Sequence, residues 1–199
     1  LTTQSGRTLP VEGSTSYLHF GDRECLCVIA HDVSDWKQME SAMRAVSQDL
    51  SGLSGAEYYQ NTVEHIATLL EADVALVVRW CPEKSDELTT VAYWVDGGLQ
   101  PNITYGRAGT PCGHLSLHKP WVLPRNAQQE FPSCAFLTQM KIESYAATPL
   151  TDTQGNPLGL LAVMNRRPCD NPERVLALLS FFALPAAAAM DRENYSNKR

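Results

Sequence analysis

The chain has 199 residues, of which 44% are hydrophobic and 19% charged, and its formal net charge is −6. This composition excludes a disordered chain, and the length suits one full domain plus an additional element. The acidic balance argues against a nucleic-acid or anionic-membrane surface, because such surfaces need clustered Lys and Arg. The longest nearly apolar run, Leu178–Met190, is shorter than the roughly 20 residues that cross a bilayer, so no membrane span is expected.

The chain carries six cysteines without regular spacing. A domain of this length needs no disulfides, so we expect reduced thiols and a cytoplasmic location. Residue 1 is Leu, and no charged-then-apolar leader follows it. We therefore expect no signal peptide and a segment of a longer protein.

Residues 1–33 predict two antiparallel strands, with a turn at Gly21-Asp22 and the second strand at Cys25–Ala30. The sequence then reads Asp-Val-Ser-Asp-Trp-Lys at positions 32–37. This run resembles the end of a PAS domain, where two long strands finish in such a signature before a helix. The resemblance implies that residues 1–33 are the C-terminal strands of a partial PAS domain.

Residues 34–54 predict a linker helix with a narrow apolar stripe. Its apolar residues recur at spacings of three and four: Trp36, Met39, Met43, Val46, Leu50 and Leu53. This stripe fits either a coiled-coil seam or a surface helix lying on its own domain. The position after PAS-like strands favours the seam, so we predict a homodimer through Trp36, Met39, Met43, Val46 and Leu50.

Residues 55–194 predict a complete α+β domain. Its predicted helices cover 56–71, a short segment near 111–117, 135–141 and a last helix after Asn171-Pro172. Its predicted strands cover 73–80, 88–95, 121–123 and a hairpin within 142–165. Helices at both ends with antiparallel strands between them indicate an α+β fold.

The hairpin is the most informative segment. Two apolar runs, Tyr145–Leu150 and Leu158–Met164, flank a segment whose Asp, Gly, Asn and Pro favour a tight turn. The second run is apolar on both faces, which predicts a strand deep within the sheet. Together with GTPCGH at 109–114 and the apolar C-terminal helix, the pattern xPLxDxxGxxLGxLAVM resembles a GAF domain.

The resemblance implies a GAF-like antiparallel sheet with flanking helices, preceded by the hairpin and the signalling helix. It also implies a bacterial multidomain sensor, in which the domain binds a small molecule and regulates a histidine kinase or a cyclic-dinucleotide enzyme in the same chain. The predicted pocket is mostly apolar and lies over Ala146 and Ala147, whose small side chains leave space. Its predicted ligand-binding residues are Tyr105, Cys112, His114, Leu115, Phe136, Met140 and Tyr145.

The main alternative is an enzyme. Free methionine sulfoxide reductases of the GAF fold use cysteines at positions resembling Cys112 and Cys134. The chain differs from that family at two positions: it has Ala135 where an acidic residue is expected, and Tyr145 where the family has a substrate-binding glutamate. No Ser-His-Asp order, phosphate loop or catalytic carboxylate pair stands out, so the fragment is expected to be non-catalytic.

Other ligand classes have weaker sequence support. Cys112, His114 and His118 have metal-ligand spacing, but no fourth ligand is evident nearby, so no metal is expected. A bilin attachment cysteine would fall at position 132, which is Pro132, and Cys134 lies two positions away, so a covalent bilin is not expected. The motif typical of cyclic-nucleotide binding is missing too, because Asn165-Arg166-Arg167-Pro168 ends the hairpin. The sequence therefore predicts no cofactor.

Overall fold

The structure, a computed structural model, describes residues 11–20, 23–33, 55–80, 86–114 and 119–197. The chain divides into two compact units, Leu1–Gly52 and Leu53–Arg199. Each unit is described by itself below. The predicted seam residues Trp36, Met39, Met43, Val46 and Leu50 lie outside the described residues.

The first unit contains a long antiparallel hairpin, β1 (Val11–Phe20) and β2 (Arg23–Asp32), in which Val11 lies opposite Asp32. Tyr17 and Leu26 pair on one face of this ribbon, and Leu18 projects from the other; all three are exposed. A two-stranded ribbon is marginally stable alone, and apolar residues on both faces are typical of strands inside a larger sheet.

The second unit alternates helices and strands in the α+β order that the sequence predicts. Its helices are α1 (Gly55–Leu70), α2 (Pro111–His114), α3 (Ala127–Glu130), α4 (Ala135–Gln139) and α5 (Pro172–Asn197). Its strands are β3 (Val74–Trp80), β4 (Glu87–Val95), β5 (Gly98–Leu99), β6 (Thr104–Gly106), β7 (Trp121–Leu123), β8 (Ser144–Thr151) and β9 (Pro157–Asn165).

The strands form one antiparallel sheet in the order β5-β4-β3-β9-β8-β7, and β6 also pairs with β4. The hairpin predicted from the sequence is β8–β9, and β9 lies between β3 and β8. The predicted fold class is thus confirmed. Three short elements were not predicted, namely α3, β5 and β6, because segments of two to four residues carry too little periodicity to be recognised.

The two faces of the sheet pack against different layers. Helices α1 and α5 contact each other and cover one face. Side chains of Val74, Leu76 and Met164 belong to the core on the opposite face, together with residues from α2 and α4. The prediction that Ala146 and Ala147 both lie under that segment is half wrong, because adjacent strand residues point to opposite faces and only Ala147 belongs to that core.

The β8–β9 turn is closed by Asp152. Its Oδ1 accepts hydrogen bonds from the backbone N–H groups of Gln154 and Asn156, both at 2.8 Å. The Asn156 side-chain amide donates to Oδ2 at 2.8 Å, and this hydrogen bond is the main reason that the pKa of Asp152 lies below its usual value. Gly155 supplies the positive φ of 83° that this turn requires.

Gly159 allows β9 to approach β3 closely. A Cβ atom built at this position would lie 1.9 Å from the carbonyl oxygen of Val78. The register of β3 and β4 shifts between Val77 and Val78, so the close approach lies beside a bulge. This contact explains the glycine in the Leu-Gly-Leu-Leu run that predicted the domain.

The last helix, α5, has 26 residues and extends well beyond the apolar run at 178–190. By length and composition alone, Pro172–Tyr195 would suffice to cross a membrane. A core helix of a globular domain meets the same test, and Leu178, Phe182 and Met190 of α5 are buried against the domain. The burial of these side chains therefore agrees with a helix that packs on the sheet.

One ion pair joins the sheet to the end of α5. Arg79 on β3 and Glu193 on α5 form a salt bridge, and their side chains are only 26% and 28% exposed. The pKa of the buried Tyr59 hydroxyl on α1 is raised, first by burial and then by the Glu193 carboxylate. These residues link both terminal helices of the domain with strand β3.

Candidate functional site

A cavity of about 270 Å³ lies on the face of the sheet opposite α1 and α5. The sheet contributes Leu76, Tyr93 and Met164 to its walls. The remaining wall residues come from the segments at 103–112 and 133–137: Ile103, Tyr105, Gly106, Ala108, Thr110, Pro111, Cys112, Ser133, Cys134, Ala135, Phe136 and Leu137. Most of these side chains are apolar, as in small-molecule sites.

Three side chains with polar atoms meet at Cys112. The Tyr105 hydroxyl donates a hydrogen bond to Cys112 Sγ at 3.4 Å, and the Tyr145 hydroxyl lies 3.3 Å from the same sulfur. Burial raises the pKa of Cys112, and it also raises those of Tyr105 and Tyr145. All three groups are therefore protonated and neutral near pH 7, and the cluster offers hydrogen bonds without charge.

A tight loop forms the roof of the cavity. Thr110 Oγ1 donates to the Arg107 carbonyl at 2.7 Å and accepts from the Gly113 N–H at 3.1 Å. A Cβ atom at Gly113 would lie 2.1 Å from that same carbonyl, so only glycine fits this close approach. The Arg107 guanidinium lies over the Trp80 ring at 4.1 Å from its centroid, which fastens the roof to the end of β3.

Helix α4 forms the wall facing the roof. Its N-cap is Cys134, which is buried, and Leu137 is almost fully buried in the core. Phe136 packs on Tyr93 with ring centroids 6.3 Å apart and planes at 59°. The helix ends at Gln139 rather than at 141, because Lys141 adopts a left-handed φ of 55° and turns the chain toward β8.

The structure brings together only some of the predicted ligand-binding residues. Tyr105, Cys112 and Phe136 line the cavity, whereas Tyr145 contacts Cys112 from outside the lining. Met140 lies instead at an open depression with Tyr93, Val95, Asp96, Gly97, Gly98 and Gln100. The side chain of His114 and all of Leu115 lie outside the described residues. Ligand binding by these residues stays a prediction.

Several lining residues were not among the predicted ligand-binding residues. Leu76, Tyr93 and Met164 lie on strands and have the pattern of core residues, which does not distinguish a cavity wall from a packed interior. Ile103 follows Asn102, whose amide groups hold that loop against Thr90 and Val91. The placement of this loop depends on long-range hydrogen bonds that carry no local sequence signal.

The arginines after the hairpin are engaged in ion pairs rather than directed into the cavity. Arg166 forms two hydrogen bonds to Asp96, at 2.7 and 2.9 Å, and a third to Asp73 at 3.3 Å. Arg167 pairs with Glu71 at 2.9 Å. In the part of the chain that the structure describes, no three His, Cys, Asp or Glu residues form a metal-binding group; His118 lies outside that part.

Comparison with known proteins agrees with this architecture. The family model of the GAF domain matches residues 55–190. Solved structures with a similar fold include the GAF domain of an Acinetobacter phosphoenolpyruvate-protein phosphotransferase, at a TM-score of 0.66 and 16% identity, covering 81% of this chain and 98% of that chain. No curated protein matches the chain.

Two phytochrome structures also have this fold. The chromophore-binding domain of Stigmatella aurantiaca phytochrome P1 has a TM-score of 0.63 and 14% identity, covering 92% of this chain and 70% of that chain. Bacteriophytochrome RpBphP3 of R. palustris has a TM-score of 0.64 and 9% identity, covering 94% of this chain and 43% of that chain. At these identities the likeness shows the fold alone. Because the family match spans more than half of the sequence, the chain belongs to the GAF domain family.

Proposed function

We propose that this GAF domain is a sensory module of a bacterial signal-transduction protein, and that it binds a small molecule in the cavity beside its sheet. The observation that supports this proposal is the cavity of about 270 Å³. Protein interiors are normally packed to the density of organic crystals. An open space of this size, with apolar walls and the neutral hydrogen-bonding groups of Tyr105 and Cys112 among them, is typical of a receptor site.

The proposed signal reaches the last helix through contacts at the end of β3. Arg107 in the cavity roof stacks on Trp80, and the neighbouring Arg79 pairs with Glu193 near the end of α5. A ligand that binds one position of the roof better than another would shift the packing of α5 on the sheet. We propose that this shift regulates a histidine kinase or cyclic-dinucleotide enzyme in the same cytoplasmic protein.

The N-terminal hairpin supports a place within a larger sensor. Its exposed apolar residues on both faces, such as Leu18 and Val28, suit strands that belong to a bigger sheet. We propose that this sheet is a PAS domain. The segment 34–54 would then be the signalling helix that joins the two domains.

Native mass spectrometry of freshly purified protein tests the receptor proposal. We expect a retained small molecule on the wild-type protein, since the cavity would hold its natural ligand through purification. Ala135 lines the cavity and is exposed at the start of α4, so Ala135→Trp should fill the mouth without disturbing the core. The variant should lose the retained mass. Retention of the same mass by Ala135→Trp would contradict binding in this cavity.

We also predict a homodimer through the linker helix. The stripe of Trp36, Met39, Met43 and Val46 leaves apolar surface that a partner helix would cover. Met43→Glu places like charges across this seam and should convert the dimer to a monomer in sedimentation velocity. Gln48→Glu, which adds the same charge between stripe positions, is the matched control and should leave the dimer intact. An unchanged sedimentation coefficient for Met43→Glu would contradict the coiled coil.

The sulfoxide reductase remains the second candidate, because Cys112 and Cys134 line the same cavity. A reductase needs a thiolate nucleophile, whereas burial raises the pKa of Cys112 and keeps it protonated. We therefore favour the receptor. Thiol-dependent reduction of free methionine sulfoxide that disappears in Cys134→Ser would reverse this choice.

A further inference from the structure

We infer that the ligand of this cavity is a neutral aromatic molecule carrying a carbonyl oxygen, and that this oxygen accepts a hydrogen bond from the Tyr105 hydroxyl. The inference rests on the proposed receptor function and specifies the chemical class of the ligand. Three features of the cavity carry it: the absence of charge from its described walls, the weak partner of Tyr105, and the aromatic rings in its walls.

No charged side chain belongs to the described lining of the cavity. Nearby Arg107 stacks on Trp80, and Arg166 is held by Asp96 and Asp73. A carboxylate or phosphate in this space would lose its hydration without gaining an opposite charge, which is unfavourable. The described walls therefore select against anionic ligands such as nucleotides and organic acids.

The Tyr105 hydroxyl donates its hydrogen bond to a weak acceptor. Its partner is Cys112 Sγ at 3.4 Å, and a thiol sulfur is a weak hydrogen-bond acceptor. Burial keeps the pKa of Tyr105 well above its usual value, so the hydroxyl stays protonated and able to donate. A carbonyl oxygen on the ligand would be a stronger acceptor than the sulfur and would draw this hydrogen bond to itself.

Tyr145 allows this exchange without leaving Cys112 unpartnered. Its hydroxyl lies 3.3 Å from Sγ, and Tyr145 is not part of the cavity lining. When the Tyr105 hydroxyl turns to the ligand, Cys112 keeps its contact with Tyr145. Thr110 is another polar wall residue, and it has no such freedom, because its hydroxyl already donates to the Arg107 carbonyl and accepts from the Gly113 N–H.

The remaining walls favour a flat, apolar skeleton. Tyr93 and Phe136 present rings whose centroids are 6.3 Å apart, and aliphatic side chains of Leu76, Leu137 and Met164 complete the interior. Aromatic rings pack best against other rings in edge-to-face or offset arrangements. A volume of about 270 Å³ suits one or two fused rings rather than a large chromophore.

Three probes with one skeleton test the class: 2-acetylnaphthalene, 2-ethylnaphthalene and 2-naphthoate, titrated by isothermal calorimetry into the full chain. We expect 2-acetylnaphthalene to bind about tenfold more tightly than the other two, since one buried hydrogen bond and an unpaired charge each change affinity by about that factor. Tyr105→Phe should abolish the advantage over 2-ethylnaphthalene. Tyr195→Phe, at an exposed position of α5, should preserve it.

Equal binding of the ketone and the hydrocarbon to the wild-type protein, or an advantage that survives in Tyr105→Phe, would overturn the inference. Tightest binding of 2-naphthoate would also overturn it. If none of the probes binds but native mass spectrometry finds a retained molecule that Ala135→Trp loses, the ligand class is wrong and the receptor function stands. If neither is seen, both proposals fail.

Discussion

Gly159→Ala should lower the free energy of unfolding by about 3 kcal/mol or more, because the new Cβ atom has no space between two central strands. It would lie 1.9 Å from the carbonyl oxygen of Val78 and 3.2 Å from the Cα of Arg79. Gly159 pairs with Arg79 on one side and Leu150 on the other, so β9 cannot move away from β3 without breaking its pairing with β8. Equilibrium urea unfolding followed by circular dichroism measures the loss.

Gly98→Ala is the matched control. The nearest atom to its added Cβ is the Gln100 side-chain nitrogen at 3.9 Å, and Gly98 has no positive φ. This substitution should change the free energy of unfolding by less than about 0.5 kcal/mol. A Gly159→Ala protein as stable as Gly98→Ala would contradict the close contact of β9 with β3. If Gly159→Ala fails to fold, Gly159→Ser should fail as well, while Gly98→Ser folds.

Arg79→Met should lower the free energy of unfolding by about 2 kcal/mol, since it leaves the partly buried Glu193 carboxylate without its cation. The carboxylate would remain near the hydroxyl of the buried Tyr59. Arg174→Met, at an exposed site near the start of α5, should change stability by less than about 0.5 kcal/mol. The double variant Arg79→Met/Glu193→Leu should recover at least half of the loss, because no unpaired charge remains.

These two variants separate two roles of β3. Gly159→Ala tests how closely β9 approaches β3 within the sheet. Arg79→Met tests the contact of β3 with α5, which is the last step of the proposed signal path from the roof of the cavity. If the path is correct, Arg79→Met should still bind 2-acetylnaphthalene while losing any ligand-dependent change in the activity of the proposed histidine kinase or cyclic-dinucleotide enzyme.

The sequence by itself determined the order and type of the long elements. The continuous apolar runs of β3 and β9, the alternating burial of β4 and the turn residues around Asp152 are local properties, because each follows from the spacing or chemistry of neighbouring residues. For the same reason α5 was located at Pro172 from its Asn-Pro start. The family resemblance followed from one such local unit, the β8–β9 hairpin.

Only the tertiary structure decided what lies in the cavity wall and what lies in the packed core. The lining residues Tyr93, Leu76 and Met164 are as apolar as their fully packed neighbours. They face the cavity because the segments at 105–112 and 133–137 lie at a distance from the sheet there. That distance depends on the Arg107–Trp80 stacking and on the contact of Cys112 with Tyr145, and both join residues distant in the sequence. Ala146 was assigned to the wrong face for a related reason: apolarity alone does not tell which face of a doubly buried strand meets the cavity.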